Sequence, residues 1–404
     1  MFDKDFKPVL RFMVISDVHI SLDQTRQQER LHKALEIAYR ECENHGTYKI
    51  LDALYVVGDF ANCGAEEQMI RFKEIVDAHI KPETLLRVTM ASHEYNQSGV
   101  EGATACFHRV FGGMPVDDHQ TVNGFHFISL SCSKGCDFYK DKIEYAKNEL
   151  TKARKADPKK PIFFFQHPHI SDTVAGSINW GDDALYSTLM DFPQVIDFSG
   201  HSHQPINDPR SIHQKHFTSL GTGSLSYFEL DEFDKVYGTL PPKREDCAQF
   251  LFVEADENGR VRVYPYDILT DNYFPYTWKI DEPWNPDSFI YTDERYKTTV
   301  KPYFDEHSKI EILNETENGF TVKFTQAKTD EDYVDDYKIV VTDKDGVIVK
   351  QTAVWSEYYF YNMPEALEVA YDDLEKDTEY TVKITANSFW KTTSDPIFAK
   401  AKTK

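Results

Sequence analysis

Five apolar runs in this chain each stop at residues able to bind a metal ion or move a proton. Phe12-Met13-Val14-Ile15 leads into Ser16-Asp17-Val18-His19, and Val56-Val57 into Gly58-Asp59. Val88-Thr89-Met90-Ala91 leads into Ser92-His93-Glu94, and Phe163-Phe164-Phe165-Gln166 into His167. Val195-Ile196-Asp197-Phe198-Ser199 leads into Gly200-His201-Ser202-His203. A lone Asp-x-His is more often a capped strand end than a ligand pair, but the same ending recurs at every one of these runs. The donors are carboxylates and imidazoles with no cysteine thiolate. That mixed oxygen and nitrogen set suits Mn, Fe or Zn rather than a structural cysteine-type zinc. One carboxylate shared between two such ions would hold them ~3.5–4 Å apart, the spacing for in-line displacement at phosphorus.

Strands alternating with helices must position these ends. Leu31, Ala34, Leu35 and Ala38 lie at helical spacing within residues 24–44. Helices are expected also over about 66–79, 103–111 and 140–155, and strands over 53–57, 85–90, 125–130, 162–165 and 195–198. The last two are continuous apolar runs, which read as strands buried on both faces. In a doubly wound sheet, ligands gather beyond the carboxyl ends of the strands, and all five motifs fall there. A hairpin, 249–255 and 260–265 about Asp256-Glu257-Asn258-Gly259, is expected to close the first domain.

Charge and cysteine content bound the partners. The formal net charge is −22, whereas a polyanion binder presents a basic face. Nucleic acid is therefore not expected as the main substrate, although bound cations would make the site itself positive. No apolar run approaches the ~20 residues needed to span a bilayer, and the polar start 1–7 has no signal-peptide pattern. The six cysteines (Cys42, Cys63, Cys106, Cys132, Cys136 and Cys247) read as reduced, mostly buried thiols, which favours the cytoplasm. Cys132 and Cys136, with no second pair, are a poor zinc signal.

Taken together, Asp17-Val18-His19, Gly58-Asp59, Ser92-His93-Glu94, His167 and Gly200-His201-Ser202-His203 resemble the motif series of the calcineurin-like metallophosphoesterases, in the family's order over residues 10–225. The resemblance implies an α/β fold, a four-layer α/β/β/α sandwich, and metal-dependent phosphoester hydrolysis, and the acidic balance favours a small phosphomonoester or phosphodiester as substrate. By it, Asp17, His19 and His203 hold one divalent ion, His167 and His201 a second, and Asp59 bridges the two. His93 is the uncoordinated imidazole that protonates the leaving oxygen or steadies developing charge. The nucleophile is expected to be water, deprotonated near neutral pH by the ions.

One position departs from the family. Where the pattern has Gly-Asn-His, this chain has Ala91-Ser92-His93. The asparagine offers an amide oxygen to the second ion. Ser92 is shorter and its hydroxyl is a weaker ligand, so it stands either as a metal ligand, directly or through a water, or as a hydrogen-bonding strand-end serine. In His167-Pro168-His169 the alternative ligand is His169. Loss of the second ion would leave a non-catalytic metal-binding or interaction protein, a reading that the otherwise complete motif set opposes.

The chain is expected in three parts: 1–275 metallophosphoesterase, 276–306 an ordered connector rich in proline, aspartate and aromatics, and 307–404 an all-β immunoglobulin- or fibronectin-like sandwich. The last rests on short alternating strands between turn signals. Residues 374–380, ending in Tyr380, resemble the tyrosine corner of a fibronectin type III domain. Without a chemical motif, that sandwich is expected to be a spacer, a homo-oligomer contact or a lid. Asn179-Trp180-Gly181-Asp182-Asp183 is placed either along a substrate pocket or at a helix start capped by Asp182, and Tyr227 and Phe228 beside the cleft. His108, His126, His213 and His216 read as surface or core histidines, and Cys63 as packing.

Overall fold

A computed structural model of the chain describes residues 3, 5–297, 300–330 and 332–404. Met1, Phe2 and Lys4 of the polar start, Thr298 and Thr299 of the expected connector, and Glu331 of the expected sandwich lie outside the described residues. Two compact units form: Met1–Asp231 with Lys243–Asp293, and Glu232–Pro242 with Glu294–Lys404. The stretch 276–293 therefore belongs to the first unit and 294–306 to the second.

The first unit opens with β1 (Pro8–Ile15), α1 (Arg26–Asn44), β2 (Ala53–Val57), α2 (Glu66–His79) and β3 (Leu85–Thr89), the three strands running parallel. The short α3 (Ser92–Tyr95) and α4 (Gly99–Val110) lead to β4 (Asp117–Val122), β5 (Phe125–Leu130), α5 (Lys140–Ala156) and β6 (Ile162–Phe165). Four small elements, β7 (His169–Ile170), α6 (Ser177–Trp180), β8 (Gly181–Asp182) and α7 (Tyr186–Leu189), precede β9 (Val195–Ser199), β10 (Ile212–Gln214) and β11 (Thr218–Gly221). The expected hairpin follows as β12 (Gln249–Asp256) and β13 (Val261–Asp267), then β14 (Asn272–Tyr273) and β15 (Trp278–Ile280).

These strands make two mixed sheets. The first has the order β14-β13-β12-β1-β2-β3, with β15 also on β13, and the second β10-β11-β9-β6-β5-β4. Their strand order rests on pairings that local sequence does not signal. β12 comes from far along the chain to lie antiparallel to β1, and β4 (Asp117-Asp118-His119-Gln120-Thr121-Val122) is a polar edge strand without an apolar run.

Period-2 alternation divides the faces. Phe12 meets the rings of Phe127, Phe163, Phe165 and Phe198 at 4.7–6.1 Å, and Tyr55 stacks on Phe165 at 3.9 Å. The alternate residues Met13, Leu54 and Val56 share an apolar core with Leu31, Ala34, Leu35 and Ala38 of α1, and Ile128, Ile162 and Phe164 with Ala146, Leu150 and Ala153 of α5. Each buried phenylalanine contributes roughly 1.5–3 kcal/mol, so the run 163–165 anchors β6 from both faces and sets where His167 emerges.

The second unit holds β16 (Ile310–Leu313), β17 (Phe320–Thr325), β18 (Val334–Thr342), β19 (Ile348–Trp355), β20 (Ala366–Tyr371), β21 (Glu379–Ser388) and β22 (Ile397–Lys402). They form antiparallel sheets ordered β16-β17-β20 and β19-β18-β21-β22. Phe320, Val322 and Phe324 share one core with Tyr337, Ile339, Val341, Val382 and Ile384. The Tyr380 hydroxyl accepts the Glu375 N–H at 2.9 Å. Strands β20 and β22 are not anticipated by the sequence pattern. Both are edge strands carrying charged residues, which protect a sheet edge but dilute the apolar signal. Among the described residues no helix is long and apolar enough to cross a membrane.

Candidate metal centre

The five strand ends converge. Asp17 and His19 follow β1, Asp59 follows β2, and Ser92 and His93 begin α3 just past β3, all from the first sheet. His167 follows β6, and His201 and His203 follow β9, both from the second sheet. Asp17, His19, Asp59, His201 and His203 take positive φ, at +51°, +50°, +49°, +70° and +56°. This left-handed backbone costs about 1–3 kcal/mol per residue and collects where function requires a side chain to be turned. Here it turns each strand end sharply enough for its side chain to face the others.

Backbone bonds hold the loops in place. The Asp17 N–H donates to the Gly58 carbonyl (3.3 Å) and the His19 N–H to the Asp59 carbonyl (3.0 Å). Thr222 binds the Ser16 hydroxyl (2.7 Å) and the Ser199 carbonyl (2.9 Å), linking the ends of β1 and β9. Glu94, fully buried, accepts the N–H groups of Asp59 (3.1 Å), Ala61 (2.9 Å) and Ala91 (2.9 Å) and so clamps the loops after β2 and β3. Burial and the Asp59 carboxylate push the Glu94 pKa up, against those donors. Glycine is required at position 58, where φ is +77° and a Cβ would lie 2.4 Å from His167 Nδ1.

The donor atoms face one another. His167 Nδ1 donates to the Val57 carbonyl (2.7 Å), which leaves Nε2 as the lone-pair nitrogen, 3.0 Å from Asp59 Oδ2 and 3.9 Å from Asp17 Oδ1. His203 Nδ1 likewise donates to the Tyr227 carbonyl (3.0 Å), and its Nε2 lies 3.2 Å from Asp17 Oδ1 and 3.1 Å from His19 Nε2. Acceptors brought this close repel unless a proton or a cation lies between them. Asp17 Oδ1 and His167 Nε2 are buried and make no hydrogen bond of good geometry, so the residues present fit a bound cation. Fixing one imidazole nitrogen on a carbonyl so that the other is free is how metal-binding histidines are oriented.

The electrostatics agree. Burial opposes charge on His167, but Asp59 and Asp17 outweigh it and raise its pKa well above the ordinary value. Burial alone would raise Asp17 and Asp59, yet His203 lowers the first and His167 the second. His19 is pushed down to about 3, first by burial and then by His203. Groups whose donor atoms all lie within 4.8 Å of one another are Asp17, His19 and His203; Asp17, Asp59 and His167; His19, Asp59 and His93; and Cys136, His167 and His201. A further such group in the second unit, Glu232, Asp335 and Asp336, already has the Lys235 ammonium at 2.8 Å from Glu232 and 2.6 Å from Asp336.

His169 spends both nitrogens on hydroxyls, Ser199 at 2.8 Å and Ser202 at 2.6 Å, so of the two neighbouring histidines the one with a free nitrogen is His167. Ser92 Oγ stands 3.4 and 3.5 Å from the two Asp59 oxygens. His93 donates its N–H to Asp59 Oδ1 (3.1 Å), shares Nδ1 with the Asn62 carbonyl (2.6 Å), and holds Nε2 3.9 Å from Asp59 Oδ2. The His201 N–H donates to Asp17 Oδ2 at 3.1 Å. The Trp180 and His201 rings stand nearly perpendicular with centroids 5.5 Å apart, and the Tyr227 and His203 ring centroids are 4.2 Å apart. Asp182 accepts the Ala184 N–H (2.9 Å) in a turn, and Phe228 is buried. His126 pairs with His119 (2.9 Å) and His213 with Asp293 (2.9 Å).

Cys136 is the residue that sequence reasoning does not bring here. Its Sγ lies 3.5 Å from His201 Nε2, and a hydrogen bond with Cys132, aided by His201 against burial, pulls the thiol down to about 4. The Cys132-x-x-x-Cys136 spacing is visible in the sequence, but nothing in it points toward the histidines.

Comparison with known proteins bears on the same residues. Residues 10–205 match the family model for calcineurin-like phosphoesterases. No curated protein matches the chain. Among solved structures, a purple acid phosphatase isolated from yellow lupin (Lupinus luteus) seeds is similar at 14% identity, over 67% of this chain and 53% of that one, with a TM-score of 0.48. The chain thus spans about half the length of that phosphatase. A myokine structure is similar at 19% identity over 26% of this chain and 100% of that one, TM-score 0.19. A redesigned β-sandwich protein is similar at 18% identity over 26% and 93%, TM-score 0.18.

Proposed function

We propose that this chain is a metal-dependent phosphoesterase that cleaves a small phosphomonoester or phosphodiester at a centre of two divalent ions on a four-layer α/β/β/α scaffold. The observation that carries this reading is the face-to-face set of buried acceptors, above all His167 Nε2 against Asp59 Oδ2 at 3.0 Å with Nδ1 already committed to Val57. In this reading Asp17, His19 and His203 would hold one ion, His167 and His201 the other, and Asp59 would serve both. When bound, the ions supply Lewis acidity toward phosphoryl oxygens and lower the pKa of water.

The chain's own residues do the rest. His93 keeps its Nδ1 on the Asn62 carbonyl, which orients Nε2 toward the site, where the protonated ring can give a proton to the leaving oxygen. Glu94 holds the Asp59 and Ala91 loops at fixed separation. Trp180 and Tyr227 offer aromatic walls beside His201 and His203. The net charge of −22 favours a small phosphorylated molecule over a nucleic acid polymer. The six cysteines, none of them in a disulfide, fit a reducing compartment such as the cytoplasm. The second unit, read as fibronectin-like, is proposed as a spacer or a dimer contact.

The test is hydrolysis of an aryl phosphomonoester and an aryl phosphodiester with added Mn²⁺, beside Asp59→Ala and His93→Ala. Turnover lost in both variants supports the reading, and the preferred ester names the subclass. Turnover retained in Asp59→Ala would sink it.

A further inference from the structure

The proposed second ion has an incomplete set of ligands if only the strand-end motifs are counted. Ser92 stands where the family places an amide oxygen. Its hydroxyl lies 3.4–3.5 Å from both oxygens of Asp59, and a neutral hydroxyl is a weak donor to a divalent cation. Without it, Asp59, His167 and His201 supply three donors.

A fourth donor of different chemistry lies on the other side. Cys136 sits in a tight turn just past β5, held by the Ser133 N–H on the Asp137 carbonyl (2.8 Å) and the Asp137 N–H on the Lys134 carbonyl (2.9 Å). The turn brings Sγ to 3.5 Å from His201 Nε2, with a ring nitrogen of His167 inside the same 4.8 Å group. An independent observation marks this space as a ligand position. The His167 ring is fully buried, and its Nε2 makes no hydrogen bond of good geometry although it lies 3.0 Å from Asp59 Oδ2, another proposed ligand of this ion.

Resting on the two-ion reading above, we propose that Cys136 is a thiolate ligand of the second ion, taking the place that Ser92 leaves weak. The set is then Asp59 oxygen, His167 nitrogen, His201 nitrogen and Cys136 sulfur. Four such donors match the number and type that zinc takes, and a thiolate draws thiophilic ions such as Zn²⁺ or Co²⁺ over Mn²⁺. The two ion positions thereby differ in preference. The Asp17, His19 and His203 set has no sulfur and accepts the harder ions.

Cobalt reports a sulfur ligand directly, because thiolate coordination adds an ultraviolet charge-transfer band that oxygen and nitrogen ligands do not give. The metal-stripped full chain, Cys136→Ser, Cys132→Ser and the double variant Cys136→Ser with Ser92→Asn are titrated with Co²⁺ while bound ions are counted. The parent and Cys132→Ser should bind two ions per chain and show the band. Cys136→Ser should lose the band and bind its second ion at least about 10-fold more weakly. The added asparagine should restore the second ion without the band. A second measurement needs no variant: alkylation of Cys136 by iodoacetamide, mapped by peptide, should be fast in the stripped chain and suppressed by Zn²⁺. Two bound ions without the band, or alkylation of Cys136 unchanged by Zn²⁺ at two ions per chain, would overturn the thiolate ligand and leave the phosphoesterase reading standing. No bound ion in the parent would overturn both.

Discussion

His167 Nε2 stands 3.0 Å from Asp59 Oδ2 while the opposite nitrogen of the same ring donates to the Val57 carbonyl. Two acceptors are thus held in contact from two different sheets. A cation between them relieves the repulsion, and in its absence a proton must. Asp59→Asn removes one charge and puts an N–H donor where an acceptor was. The expected result is a loss of more than about 100-fold in affinity for at least one ion, exceeding what outer-shell changes cost at metal sites. Metal content after dialysis checks it, and full loading of the variant would refute it.

Gly58→Ala tests the close approach itself. The new Cβ would fall 2.4 Å from His167 Nδ1, with φ at +77°. His167 is fully buried and cannot swing aside, so the backbone must move. A stability loss of roughly 1–3 kcal/mol is expected, together with weakened metal binding, read from urea unfolding and ion counting. An unchanged unfolding midpoint would mean that the imidazole is less confined than its contacts indicate.

His93 should separate chemistry from binding. Its ring is partly exposed, with Nδ1 on Asn62 and Nε2 3.9 Å from Asp59. As a proton donor it should matter to turnover by about 10²–10⁴-fold. His93→Ala is therefore expected to lower kcat by that order while two ions remain bound. A variant that lost an ion instead would make His93 a ligand.

Asp197 gives a pH dependence that does not involve the metal centre. It is fully buried on β9, where burial pushes its pKa from 3.8 up to about 8 against the Gln166 amide. The folded state therefore binds this proton more tightly than the unfolded chain does. Its contribution is fully present below about 3.8 and is lost as pH rises toward about 8. Asp197→Asn removes that loss. Relative to the parent, the variant should gain stability between about pH 5 and about pH 9 by on the order of a few kcal/mol. Urea unfolding of both metal-stripped proteins at the two pH values measures it, and a constant difference between them would contradict it.

Much of the site is legible in the amino-acid sequence because its signals are local. Asp17, Asp59, His93, His167, His201 and His203 each lie within a few residues of the apolar strand that carries them, and side-chain period and chemistry are written in consecutive residues. The apolar runs also mark β1, β2, β5, β6 and β9, since strands buried on both faces leave continuous hydrophobic stretches.

What consecutive residues cannot express is approach between distant segments. That Asp17 and Asp59 come from one sheet and His167, His201 and His203 from another follows from β12 lying beside β1 and from the aromatic contacts of Phe12 and Tyr55 with the second sheet. The choice of His167 over His169 depends on which nitrogens Ser199, Ser202 and Val57 occupy. Sequence alone named most of the candidate ligands, left His167 and His169 as alternatives, and placed each candidate just past an apolar run. Only the tertiary structure placed Cys136 against His201, because a thiol reads as a buried apolar group until the fold, through long-range packing, sets it beside a ring nitrogen.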